Sequence, residues 1–90
     1  MEFEYDSAKS ISNSRKHRID FLQAQVLWLD PDLFILPSRF PEEPRYLAIG
    51  RIEERFYTAI FTERNDRIRL ISVRRPRDEE EQLYDQNKQN

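Results

Sequence analysis

Apolar and polar residues alternate at the start of the chain, with Phe3 and Tyr5 interleaved among Glu2, Glu4 and Asp6. A period of two marks a strand with one buried face, so residues 2–5 are predicted as a short edge strand. The period then lengthens. Ala8, Ile11 and Arg15 recur at helical spacing behind Asp6 and Ser7, either of which can accept hydrogen bonds from the free amides of a helix start. This predicts a first helix over 7–17. Asp20 stands three residues before Gln23, a capping-box spacing, and Phe21, Ala24, Val26, Leu27 and Trp28 give one broad apolar face. The second helix is predicted over 20–28 and ends at Asp30-Pro31-Asp32, because Pro31 lacks an amide donor and restricts the residue before it.

From there the period returns to two. Leu33–Leu36 reads as a short strand, Pro37–Pro44 as a loop, and Tyr46–Gly50 and Phe56–Phe61 as two strands of a hairpin joined by Arg51–Arg55. Glu63–Asp66 is a turn in which Asn65 tolerates a left-handed backbone, and Ile68–Val73 is the last strand. Pro76 opens a third helix with Asp78, Glu79, Glu80 and Glu81 at its positive end, running to about Tyr84. The order β-α-α-β-β-β-β-α predicts an α+β fold: an antiparallel sheet of four to five strands, two N-terminal helices packed on it, and a short C-terminal helix. Residues 1–84 form one domain, and the all-polar residues 85–90 a disordered tail. Trp28 and the strand Leu33–Leu36 are assigned to the core, with a partner surface as the alternative.

Composition narrows the chemistry. Ninety residues, 38% hydrophobic, suffice for one core and not two. No apolar run approaches the roughly 20 residues of a membrane span, and the acidic start Met1-Glu2-Phe3-Glu4 lacks the pattern of a signal peptide, so the cytoplasm is the expected compartment. With no cysteine and His17 as the single histidine, neither a structural zinc site nor a thiol nucleophile can be built. The single glycine excludes a glycine-rich phosphate loop, so no cofactor is expected.

The net charge of −2 conceals a segregation: residues 1–44 carry five bases against eight acids, 45–77 nine against four, and 78–90 one against five. All nine bases of the middle segment are arginines, whose planar fork of donors suits phosphate. Strict alternation in the last strand places Arg67, Arg69, Ile71, Val73 and Arg75 on one face and Ile68, Leu70, Ser72 and Arg74 on the other. An arginine on a covered face needs a partner, either a carboxylate of the fold or a phosphate from outside. Lys16 and His17 close the first helix, where a cation is favoured by the negative end of the dipole. A histidine, with an ordinary pKa of about 6.5, also moves protons near neutral pH.

The residues Phe3-Glu4-Tyr5-Asp6, Ala8-Lys9, Asn13, Lys16-His17, Ile19, Phe21, Ala24 and Asp30-Pro31 recur in order with Arg45–Arg51, Phe61-Thr62-Glu63-Arg64, Arg69–Arg74, Glu80 and Tyr84. Together they resemble the BrnT family of type II toxin–antitoxin toxins over residues 3–84. The resemblance implies a RelE-like fold, an endoribonuclease that arrests translation, and a small ribbon-helix-helix (BrnA-like) antitoxin partner with which the toxin forms a hetero-oligomer. It implies metal-free cleavage. Arg69 and Arg74 then bind the transition state, Lys16 or His17 transfers a proton, and Glu63 acts as base or orients Arg64 or Arg69; Arg45, Arg64, Arg69 and Arg74 hold RNA phosphate. Three positions depart from the family pattern: Arg18 and Asn65 stand where glycine is common, and Ser72-Val73-Arg74 replaces Ser-Ala-Arg. If the family glycine has positive φ, Arg18 suits that backbone poorly, and the first helix ends differently with His17 redirected. The rival expectation is a catalytically inactive, toxin-like binding module whose arginines meet an acidic protein partner or RNA.

Overall fold

The first helix begins where a side chain satisfies its free amides. In the computed structural model, which describes residues 1–39 and 44–88, the Asp6 carboxylate accepts hydrogen bonds from the Ala8 and Lys9 amides at 2.8 and 3.2 Å. Strand β1 (Glu2–Glu4) precedes this cap, and helix α1 spans Ser7–His17. Asp20 and Gln23 form the capping box their spacing predicts. The second helix then departs from expectation: α2 is a single turn, Phe21–Ala24, and Gln25–Leu29 continues as a 3-10 helix. The tighter winding stops at Asp30-Pro31 and divides the apolar residues between two sides. Phe21, Ala24 and Leu27 are buried, whereas Leu22, Val26 and Leu29 are 65%, 42% and 80% exposed.

Strands β2 (Phe34–Pro37), β3 (Tyr46–Ile52), β4 (Arg55–Arg64) and β5 (Arg67–Arg74) follow, and helix α3 (Asp78–Asn87) closes the described chain. The five strands form one sheet in the order β1-β5-β4-β3-β2. β3, β4 and β5 pair antiparallel through two-residue turns at Glu53-Glu54 and Asn65-Asp66. Asn65 and Asp66 both have positive φ (52° and 65°), the backbone that matches strand twist in a tight hairpin.

The expectation of a fully antiparallel sheet fails at β1, which pairs parallel with β5. No tight turn fixes the direction of a strand so distant in sequence, so side-chain pairing decides it. Phe3 packs edge-on against Trp28 at 5.1 Å, while Glu2 and Glu4 fall opposite Arg67 and Arg69. α3 runs to Asn87, beyond the end expected near Tyr84. Part of the expected loop, residues 40–43, and the final residues 89–90 lie outside the described residues.

Ladder partners share a face, so the register assigns the core. Ala48, Ala59, Phe61, Leu70 and Val73 project toward Ile19, Phe21, Ala24 and Leu27 of the N-terminal helical segments. Trp28 is half-buried here, edge-on to Phe61 at 5.3 Å. Gly50 marks a close approach of β3 to this layer: a Cβ there would lie 2.9 Å from Leu33 Cδ1 and 3.2 Å from Leu27 Cδ2. The other face is partly covered by α3, which sets Tyr84 edge-on to Phe56 at 5.3 Å. Tyr84 Oη donates to Asp30 Oδ2 at 2.9 Å, and the same oxygen accepts the Arg51 amide at 2.8 Å. Burial, reinforced by the Asp30 carboxylate, pushes the Tyr84 phenol up to about 12. No helix among the described residues is long and apolar enough to cross a membrane.

Candidate functional site

A β-bulge decides which arginines share a surface. The β4–β5 register steps from Phe61↔Leu70 to Ile60↔Ser72, leaving Ile71 without a partner. One extra residue inverts the alternation beyond it. Thr62↔Arg69, Ile60↔Ser72 and Thr58↔Arg74 therefore lie on one face, and Val73 turns into the core. The strict alternation expected from sequence, which separated Arg69 from Arg74, is corrected by that one residue.

On this face Arg74 is fully occupied within the fold. Its Nη1 and Nη2 donate to the two carboxylate oxygens of Glu80 at 2.8 and 2.9 Å, and Nη1 also donates to the Arg75 carbonyl at 3.2 Å. Glu80 is buried and accepts two further bonds, from Thr58 Oγ1 and from the Arg77 amide, each at 2.9 Å. Burial alone would raise the Glu80 carboxyl, but hydrogen bonds from Arg74, the Arg77 amide and Thr58 outweigh it and hold the group at about 2. The same pairing raises the Arg74 guanidinium. This bidentate bond fastens the start of α3 to β4 and β5.

Helix α1 runs beside the open edge of β5 because Asn13 takes the place of a strand there. Its Oδ1 accepts the Val73 amide at 3.1 Å, and its Nδ2 donates to the Val73 carbonyl at 2.9 Å and the Ile19 carbonyl at 2.8 Å. One turn farther on, Lys16 and His17 end the helix at the end of the sheet where β5 stops and the β3–β4 turn lies. Arg18 adopts the left-handed conformation (φ 63°, ψ 28°), and its amide donates to the Ser14 carbonyl at 2.9 Å. The helix thus terminates as it would with glycine, at a strain of about 1 kcal/mol, and the altered ending expected from Arg18 is corrected.

Beside this corner, between the α1–α2 turn and the β3–β4 hairpin, lies a cleft of about 600 Å³. Arg18, Gln23, Val26, Glu54, Arg55 and Tyr57 are among its lining residues. The Arg75 guanidinium stacks over the Tyr57 ring at 5.5 Å. Arg18 and Arg55 thus line this concavity together with Glu53 and Glu54, and Arg75 stands over one of its lining residues, Tyr57.

The remaining sequence candidates stand at the opposite end of the sheet. Arg69 Nη1 pairs with Glu4 Oε2 at 3.3 Å, half-buried. Glu63 and Arg64 are exposed beside the Asn65-Asp66 turn, where with Pro44, Tyr46 and Thr62 they line a hollow of about 430 Å³. Arg45 is half-buried at the start of β3, its carbonyl accepting the Ser38 amide at 2.8 Å. Glu63 lies five positions along β4 from Thr58, a span of roughly 16 Å. Glu63 therefore does not share a phosphate with Lys16 and His17. The placing of Arg18 and Arg55 in one cleft was not legible in the sequence, where Arg51–Arg55 read as the connection; the hairpin turn is only Glu53-Glu54, which puts Arg55 at the start of β4. Among the described residues, no cluster of three or more His, Asp and Glu side chains is placed to hold a metal ion.

A family model described as the ribonuclease toxin BrnT of type II toxin–antitoxin systems matches residues 5–80. No curated protein matches the chain.

Proposed function

The chain belongs to the BrnT ribonuclease-toxin family of type II toxin–antitoxin systems, and from that membership we propose that it cleaves RNA without a metal ion, arrests translation in the cytoplasm, and is neutralised by a ribbon-helix-helix antitoxin. The same reading takes its architecture as RelE-like. One observation carries the site: Arg18 and Arg55 line one cleft, Arg75 stacks over its Tyr57, and Lys16 and His17 end the helix that leads into Arg18. A phosphodiester passing through its pentacoordinate state gains negative charge, and preorganised guanidinium donors in a concave site stabilise that charge more than the ground state.

The reaction needs three operations. A base removes the 2′-hydroxyl proton, the 2′-oxygen attacks phosphorus, and an acid protonates the departing 5′-oxygen. The products are a 2′,3′-cyclic phosphate and a 5′-hydroxyl. In the proposed site Lys16 or His17 transfers a proton, and the carboxylates of Glu53 and Glu54, at the same cleft, are available as the base. Arg45, Arg64 and Arg69 stand at the far end of the sheet, Arg69 paired with Glu4, and the proposed site makes no use of them. Arg74, held by Glu80, is a positioning residue that fixes the backbone leading into Arg75.

Purified chain incubated with RNA, with and without EDTA, tests this reading. Products ending in a cyclic phosphate are expected in both reactions. His17→Ala and Arg75→Gln are each expected to slow cleavage by about 10²-fold with unchanged melting temperature. RNA binding with no cleavage at any dose would instead establish the inactive binding module.

A further inference from the structure

At the end of the sheet away from the cleft, a hollow of about 430 Å³ combines an aromatic ring, a carboxylate and a guanidinium. Pro44, Tyr46, Thr62, Glu63 and Arg64 line it. Tyr46 and Phe61 are ladder partners on the core face of β3 and β4, and Glu63, two residues beyond Phe61, shares that face. Tyr46 and Glu63 are therefore diagonal neighbours, roughly 7–8 Å apart and within the reach of an aromatic side chain. The walls are fixed. The Tyr46 ring stacks on Phe61 at 5.4 Å, and Thr62 Oγ1 donates to the Pro44 carbonyl at 2.7 Å, which ties the approach to β3 against β4. The charged groups are not engaged. Glu2, Glu4 and Glu80 are paired with Arg67, Arg69 and Arg74, whereas the side chains of Glu63 and Arg64 make no hydrogen bond or ion pair among the described residues.

We propose that this hollow is a nucleobase subsite selective for guanine, with Tyr46 as its stacking platform and Glu63 reading the edge of the base. The proposal rests on the ribonuclease reading for its substrate class, RNA; the selectivity comes from the hollow itself. One anion and one cation cancel there, so a phosphate gains little, and a neutral heterocycle with donors beside an acceptor fits both groups. Unpaired bases of single-stranded RNA are held by stacking on aromatic rings and read along their Watson–Crick edges. Guanine alone among the four bases sets two N–H donors, at N1 and N2, side by side on that edge, which matches the two acceptor oxygens of a carboxylate. Its O6, next in the row, accepts from Arg64. Adenine, cytosine and uracil each offer one donor position there. Glu63 lies eight positions along β4 from Arg55 at the cleft, a span of roughly 26 Å. The base read is therefore several nucleotides from the scissile phosphate, and Glu63 selects the stretch of RNA that is held instead of moving a proton.

Titration of the full chain with each 5′-mononucleotide, followed by backbone amide chemical shifts, tests the subsite apart from catalysis. GMP is expected to shift residues 45–46 and 62–64, with AMP, CMP and UMP binding about 10-fold more weakly for want of the bidentate edge contact. Glu63→Gln is expected to bring GMP down to the level of the other three. Tyr46→Leu is expected to weaken all four alike by about 10-fold, while Tyr46→Phe, which keeps the ring, binds as the unmodified chain does. Equal binding of the four nucleotides by the unmodified chain, no shift with any of them, or shifts confined to residues 52–57 overturns the proposal. So does a preference for GMP that survives Glu63→Gln. Amides of the hollow that respond to the antitoxin and to no nucleotide would make it a protein contact instead. RNA cleavage is scored separately: a chain that cuts no RNA yet binds GMP here overturns the ribonuclease reading and keeps the subsite, and one that cuts RNA without binding GMP here does the reverse.

Discussion

Asn13 does with one amide what a missing strand would do with its backbone. β1 stops at Glu4, and the free edge of β5 at Val73 is completed by a side chain that donates and accepts at once. From sequence Asn13 was one polar residue in a helical pattern, visible only as part of the family resemblance, because nothing local says which backbone it will meet. Asn13→Ala leaves the Val73 amide and two carbonyls without their side-chain partner and is expected to cost about 2–4 kcal/mol, read as a lowered midpoint in urea. Glu80 makes a second residue-scale prediction. Its carboxyl is held at about 2 against an ordinary 4.5, so its stabilisation is complete above the higher value and lost as pH falls through the lower one. The shift corresponds to about 3 kcal/mol. Stability measured from pH 5 to pH 2 is expected to fall by about that amount more in the unmodified chain than in Glu80→Gln. Arg74→Ala, by contrast, leaves a buried carboxylate without its cation and is expected to destabilise by about 3–5 kcal/mol at neutral pH, so any loss of toxicity in that variant reports folding first.

At the scale of elements, the strands were legible because one buried face imposes period two, and the capped helix starts because Asp6 and Asp20 stand where free amides need acceptors. The failures have equally specific causes. The bulge at Ile71 has no residue signature, since an aliphatic side chain there fits either parity, yet it reassigns Arg74 and Val73. The tightening of Gln25–Leu29 into a 3-10 helix accompanies exposure of Val26, which the helical pattern counted with the apolar face. The parallel pairing of β1 depends on partners far away in sequence. The β2 edge shows a further device. Ser38 donates to the Arg45 carbonyl, which makes that pair hydrogen-bonded and turns the backbone groups of Pro37 and Ile35 outward. Pro37 therefore sits where its missing amide costs no ladder bond and leaves an incoming strand one donor short. Pro37→Thr is expected to raise light scattering on concentration without lowering the melting temperature; unchanged scattering would show that the edge is protected by other means.

For the whole molecule, the charge segregation read from sequence survives folding in a changed form. The arginines of residues 45–77 do not make one basic face. Arg74 is committed to Glu80, and Arg67 and Arg69 to Glu2 and Glu4. Arg55 instead lines the cleft at the hairpin end with Arg18, Glu53 and Glu54, and Arg75 stacks over its Tyr57. Internal carboxylates thus quench part of the basic segment, and the few arginines left at the hairpin end suit one phosphate and its neighbours more than a long duplex. This has a measurable consequence, because each phosphate neutralised on a single strand releases counterions. If three arginines engage phosphate, the slope of log K against log salt is expected to be about −2, an affinity loss of roughly 20-fold between 50 and 200 mM salt. Arg75→Gln should lower the magnitude of that slope by about 0.7. Arg69→Gln, which removes a cation already paired with Glu4, should change it far less. Equal changes for the two variants would place the strand along the whole sheet and move the site away from the hairpin end.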